Sequence, residues 1–227
     1  MKLLALDTST DACSAALLVG TEIREDFKLA PREHAKLILP MVDALLAEAG
    51  LSLSQLDAIA FGRGPGSFTG LRIAAGVAQG LAFGANLPVL PISTLAALAQ
   101  GAYTDLGATR VLAALDARMN EVYWGVYQIN GADMIELHGA EQVCAPGEVV
   151  LPLGGEWLGA GSGWKEYGAA LRERCGTLVC TVMPERLPRA KDIALLGVTA
   201  SQRGLAVSAE QAMPVYLRNQ VAWAKCE

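Results

Sequence analysis

The sequence predicts an α/β protein made of two related halves, and three observations carry that prediction. A unit of strand, aspartate, turn and two further strands occurs twice, with Leu6-Asp7 in the first copy falling on Leu115-Asp116 in the second. Helical and strand patterns are found in both halves. The 227 residues are 52% hydrophobic and 18% charged, enough for a substantial core in one large or two small domains, and too apolar for disorder over most of the length.

The elements follow in order. Lys2–Thr8, Ala12–Val19 and Glu22–Leu29 read as a three-stranded meander, the third alternating apolar with charged residues like a half-exposed strand. His34–Ala49 places Leu37, Ile38, Met41, Val42, Leu45 and Leu46 at helical spacing, with Pro40 as a kink and Gly50 as the stop. Asp57–Gly62 is a short buried strand, and the tight loop Arg63-Gly64-Pro65-Gly66 feeds Ser67, whose hydroxyl caps a second helix to about Ala85. Leu87–Ile92 is a strand, Ser93 or Thr94 caps a short helix to about Ala102, and Thr104–Thr109 is a closing loop. The second half repeats the pattern with Val111–Arg118, Glu121–Ile129 and Met134–Val143. Past Pro146 come a glycine-rich stretch, a helix at about Trp164–Cys175, a strand at Leu178–Val182 and a helix at about Ala190–Arg203. The bulky segment Val215–Arg218 is expected to lie ordered against the body. The resulting division is 1–104 for the first half and 105–227 for a shortened, degenerate second half.

Composition excludes several classes of function. Eighteen Lys+Arg against 23 Asp+Glu give a net charge of -5, unsuited to gripping nucleic acid alone, which needs clustered positive charge. The opening apolar run is too short for a signal peptide, and Ile73–Val89 falls short of a membrane span, so a cytoplasmic protein is expected. Cys13, Cys144, Cys175, Cys180 and Cys226 form no C-x-x-C pair and read as reduced packing residues.

Few residues suggest chemistry. Asp7-Thr8-Ser9 and Asp116-Ala117-Arg118 end strands at turns, where a carboxylate could hold a metal-bound water and turn N–H groups could meet a phosphate; turn capping is the favoured reading. Arg118 is bulky where a phosphate-hugging turn wants a small residue. Gly64–Arg72 is a glycine-rich loop opening a helix, yet it fits neither the P-loop nor the dinucleotide fingerprint. His34 and His138 make no metal motif, and Ala160-Gly161-Ser162-Gly163-Trp164 is not a nucleophile elbow. The second helix carries Gly70, Gly76, Gly80 and Gly84 beside Ala74, Ala75, Ala78 and Ala82, a smooth surface that, with the apolar stripe of the first helix, points to an intersubunit helix bundle, the alternative being packing on the protein's own sheet.

Leu4–Ser9, Arg32–Pro40, Gly64–Arg72 and Leu115–Tyr123 resemble the TsaB (YeaZ) proteins of bacteria, in order along most of the chain and less strongly after about residue 140. The resemblance implies the actin-like fold of sugar kinases and heat-shock ATPases, each half a mixed five-stranded sheet with helices. It implies a subunit without catalytic or metal residues that binds the catalytic paralogue TsaD, with TsaE, downstream of TsaC, for threonylcarbamoylation of the adenosine beside the anticodon. Where TsaD-type relatives carry a metal-binding His-x-x-x-His, this chain has Ser93-Thr94-Leu95-Ala96-Ala97.

The expected partner face is His34, Leu37, Ile38, Met41 and Leu45 of the first helix with Arg72, Ala75, Gly76, Ala78 and Gly80 of the second. Asp7, Thr8, Ser9, Asp116, Gly161 and Ser162 mark a vestigial nucleotide or anion site, with no cofactor required and at most weak ATP or ADP binding. A homodimer is expected when TsaD is absent, tRNA only through the complex, and no membrane contact. The competing reading is an actin-fold ATP-dependent transferase or metallopeptidase-like enzyme using Asp7 and Asp116.

Overall fold

The computed structural model describes residues 1–129 and 134–218. Its elements are β1 (Lys2–Asp7), β2 (Ala12–Val19), β3 (Glu22–Leu29), α1 (His34–Ala49), β4 (Ala58–Gly64), α2 (Phe68–Ala85), β5 (Val89–Ser93) and α3 (Thr94–Leu106) in the first part. The second part contributes β6 (Arg110–Asp116), β7 (Val122–Ile129), β8 (Ile135–Leu137), β9 (Gln142–Cys144), β10 (Trp157–Ala160), α4 (Ser162–Glu166), α5 (Gly168–Cys175), β11 (Val179–Met183) and α6 (Ala190–Gln202).

The internal repeat is the organising feature of the fold. The first sheet has the order β3-β2-β1-β4-β5, with β1 antiparallel to β2 and parallel to β4. The second runs β11-β10-β6-β7-β8, with β6 antiparallel to β7 and parallel to β10. β1 and β6 therefore occupy equivalent central places, and Asp7 and Asp116 end them. The single third strand expected over Met134–Val143 is in fact two pieces, β8 and β9, both paired with β7.

Alternation along the central strands builds four apolar layers. Leu4 and Leu6 face α1 and α2, while Leu3 and Ala5 face α6. Val111, Ala113 and Leu115 meet Leu95, Leu98 and Ala102 of α3; Leu112 and Ala114 meet Trp124, Trp164 and Leu171 on the opposite side. The first sheet thus carries α6, which comes from the end of the chain, and the second carries α3, which comes from the first half. A cut at 104/105 separates the sheets but not these crossing helices, which pack on each other.

Helix ends follow local chemistry. Ser67 caps α2 by accepting from Gly70 N–H, Ser93 caps α3 by accepting from Ala96 N–H, and Gly50 and Gly107 close α1 and α3 in the left-handed region. α3 continues to Leu106, through part of the loop expected at Thr104–Thr109. The helix expected at Trp164–Cys175 starts earlier and is broken at Tyr167 into α4 and α5. β10 falls in the stretch that reads as loop in the sequence. Among the described residues of the second half no helix matches α1, and the stretch between β9 and β10 holds a 3-10 turn at Pro146–Glu148.

Candidate functional site

The carboxyl ends of β1, β4, β6 and β10 converge on a cleft of ≈ 780 Å³ between the halves. Such a crevice at strand ends is where open α/β sheets take ligands. Of the six residues expected there, Ser9, Asp116 and Ser162 line it, while Asp7, Thr8 and Gly161 are packed behind it.

The first turn satisfies one oxygen of its aspartate from within and leaves the other, Oδ2, buried without a partner. Asp7 Oδ1 accepts from the Ser9 N–H at 3.0 Å and the Ser9 hydroxyl at 2.9 Å. The loop ahead of α2 sits directly on this turn, with Ser67 N–H donating to Ser9 O at 2.8 Å and the Thr8 hydroxyl donating to Gly70 O at 2.7 Å. Gly70 permits that approach, because a Cβ there would overlap the Thr8 carbonyl oxygen. The Asp7 carboxyl has no exposure, and burial pushes its pKa up to about 7 against the opposing bonds from Ser9.

The second turn is occupied as well. Asp116 accepts from Arg118 N–H at 2.8 Å and from the Tyr167 hydroxyl at 3.2 Å, and pairs with the Arg118 guanidinium at 3.0 Å. Its own N–H donates to Ser162 Oγ at 3.1 Å. Gly161, at φ 104, lets the loop before α4 lie against the Ala114 carbonyl.

The cleft walls hold residues that the sequence does not flag for this place: Thr10, Asp11, Phe68, Leu187, Tyr216 and Arg218. Arg72, expected on the docking face, lines the cleft with its guanidinium 3.3 Å from the Phe68 ring centroid. Tyr216 and Arg218 lie in the segment expected to be ordered, but their position follows from tertiary contacts alone. At the Ser93–Ala97 stretch, Glu141 accepts from the Ser93 and Tyr127 hydroxyls, Thr94 donates to Pro65 O, and Leu95 and Ala97 are buried in the core. Among the described residues, no three His, Cys, Asp or Glu side chains gather in a group that could hold a metal ion.

The expected docking residues divide sharply. His34, Ile38, Met41, Leu45, Ala75 and Ala78 are buried inside the first half, and Leu37 packs partly buried against that core. Reading the six buried residues as a partner face is therefore corrected, whereas half-exposed Leu37 is not excluded by its burial. His34 opens α1 with its Nε2 at 3.2 Å from Ala12 O, and the apolar stripe of α1 with the alanines of α2 seals this chain's own sheet. Residues two apart on a helix point about 200° from each other. Ala74, Ala78 and Ala82 thus face inward, and Gly76, Gly80 and Gly84 face outward with open space beyond them. The exposed surface of these two helices also includes Leu39 and Phe83, the latter 74% exposed.

Two sheets of like connectivity around a cleft at their carboxyl ends define the actin-like ATPase class of fold. The family model for TsaD, tRNA N6-adenosine threonylcarbamoyltransferase, matches residues 28–226. The chain belongs to the TsaB family. It is 46% identical to the "tRNA threonylcarbamoyladenosine biosynthesis protein TsaB" of Escherichia coli, over 99% of this chain and 98% of the relative. The TsaB of Haemophilus influenzae is also 46% identical, over 99% of this chain and 97% of its own length. The solved structure of YeaZ from Pseudomonas aeruginosa superposes with a TM-score of 0.89 at 52% identity, covering 95% of this chain and 99% of that one. Among the described residues, no helix is long and apolar enough to cross a membrane.

Proposed function

We propose that this chain takes part in making threonylcarbamoyladenosine in tRNA as a non-catalytic subunit, docking onto a TsaD-type catalytic paralogue. The observation that carries the reading is the state of the two aspartate turns. In an actin-like enzyme these turns face phosphate and metal, whereas here Asp7 is buried under the α2 loop and Asp116 is paired with Arg118. A cleft so occupied supports a structural role. TsaE is the further partner, TsaC acts upstream, and the location is cytoplasmic. With a net charge of -5, contact with tRNA passes through the complex.

The docking face in this reading is the outer surface of α1 and α2: Leu39, Gly76, Gly80, Phe83 and Gly84. Its glycines admit close approach of a partner helix, and exposed apolar side chains flank them. In the absence of the paralogue, a second copy of this chain covers the same face.

The test is mass spectrometry of nucleosides from tRNA in a reconstituted system. Gly80→Arg should abolish modification together with TsaD binding, while Asp116→Asn should leave it within about twofold. Loss of modification with Asp116→Asn in a chain that still binds TsaD would make the cleft the active element.

A further inference from the structure

Residues 212–218 run from the first half to the second across the mouth of the cleft, fastened at both ends. On the first half, Gln79 donates to Ala212 O at 3.1 Å and Val215 N–H donates to Arg63 O at 2.8 Å. Tyr216 packs on Phe68 with ring centroids 5.3 Å apart, and Arg72 lies over both rings. On the second half, among the described residues, Arg218 makes the tie. Arg218 pairs with Glu121, donates to Arg118 O at 3.4 Å and reaches Met119 Sδ at 3.1 Å.

The second anchor is not an ordinary turn. Arg118, Met119 and Asn120 all have left-handed backbone, at φ 60, 55 and 59. Three consecutive L residues adopt that conformation at a steric cost, so the turn persists only where surrounding contacts hold it. Within the turn Ala117 N–H donates to Glu121 O at 3.0 Å, Glu121 N–H to Arg118 O at 3.1 Å and Arg118 N–H to Asp116 at 2.8 Å, and from outside the turn Arg218 adds its contacts to Arg118 O and Glu121. The same turn forms one rim of the cleft, and Phe68 belongs to the opposite rim.

We propose that this C-terminal strap is a clamp that fixes the two halves at one angle and holds the strained turn in place, so that the cleft opens only when the strap lifts. The inference does not depend on the role proposed above, since a clamped cleft is compatible with a scaffold or with an enzyme.

The test is hydrogen exchange of the full chain, followed in peptides covering 117–122 and 213–218. Arg218→Ala and, from the other side of the pair, Glu121→Ala should each speed exchange in 117–122 by at least tenfold, with the strands β1, β4 and β6 unchanged. The deciding variant is Tyr216→Ala, because the Tyr216 ring packs on Phe68, on the opposite rim from the turn. A clamp transmits its loss to 117–122, with at least a fivefold rise. Faster exchange confined to 213–218 in Tyr216→Ala, or no change in 117–122 with Glu121→Ala, would overturn the proposal.

Discussion

The free oxygen of Asp7 lies beside Gly62, so closely that a methyl group on Gly62 would overlap it. Oδ1 is satisfied by Ser9, whereas Oδ2 is buried without a partner. An ionised carboxylate is costly in such a place, and burial raises its pKa to about 7.

Stability should therefore fall as pH rises. Asp192, buried in the first turn of α6, behaves in the same way. Its pKa is also pushed up to about 7, by burial first, with Lys191 and Arg186 pulling it down and Asp105 and Glu25 pushing it up. For each group the folded state holds its proton in the window between about 4 and 7 while the unfolded chain has lost it, so the stabilisation is full at the acid end and gone above pH 7. Between pH 5 and pH 8 this amounts to at most about 3 kcal/mol per group. Urea midpoints should drop over that range in the parent chain and drop about half as far in Asp7→Asn. An unchanged slope in Asp7→Asn would show that Asp7 does not titrate there.

Ala78 and Gly80 lie two residues apart and should respond in opposite ways to arginine. Ala78 has no exposure and packs among Ile38, Met41 and Leu45, so Ala78→Arg buries a charge at a cost of several kcal/mol and should unfold the chain. Gly80 faces open space, so Gly80→Arg should keep a native circular dichroism spectrum and an undiminished melting temperature while losing the paralogue in size-exclusion chromatography. Leu45→Glu belongs with Ala78→Arg, since its side chain is inside the same core.

That contrast marks the limit of what the sequence discloses. The repeat is legible because Leu6-Asp7 and Leu115-Asp116 end equivalent strands, and the meander and α2 follow from period and capping. Which face of α2 is buried is not legible, because glycine and alanine are both small and leave no polar stripe to orient the helix. β10 is hidden for a different reason. Its four residues lie close to Gly154, Gly155 and Gly161, and its strand character comes from β6 and β11 pairing on either side. The clustering of Phe68, Tyr216 and Arg218 at the cleft depends on contacts spanning roughly 100 to 150 positions, beyond any local pattern.

One substitution made at two positions on the same helix separates packing from propensity. In an exposed helix interior Gly→Ala gains about 0.5–1 kcal/mol. Gly76 has nothing within 4 Å, so Gly76→Ala should stabilise by that amount. Gly70→Ala should destabilise by about 1–3 kcal/mol, because its methyl overlaps the Thr8 carbonyl and pushes α2 off the first turn. Paired thermal melts read both signs directly, and stabilisation by Gly70→Ala would mean that the α2 loop is not seated on Thr8-Ser9.

Nucleotide should have little to hold in the cleft, although three arginines line it. Arg118 is paired with Asp116 and Arg218 with Glu121, so a phosphate competes with a carboxylate for each of these guanidinium groups, and only Arg72, stacked face-on over Phe68, keeps its in-plane N–H groups turned away from an acid. One donor of each turn is engaged within the turn, Ser9 N–H on Asp7 and Arg118 N–H on Asp116. A ligand that binds only the folded state at one thousand times its Kd adds about 4 kcal/mol of stability, and in a chain of this size each kcal/mol moves Tm by about 2–4 °C. Millimolar Mg–ATP should accordingly leave Tm within about 1 °C of the ligand-free value. A rise of about 8 °C or more, the signature of micromolar affinity, would mean that both turns release their internal bonds to admit phosphate, and the competing reading as an ATP-dependent enzyme would then stand.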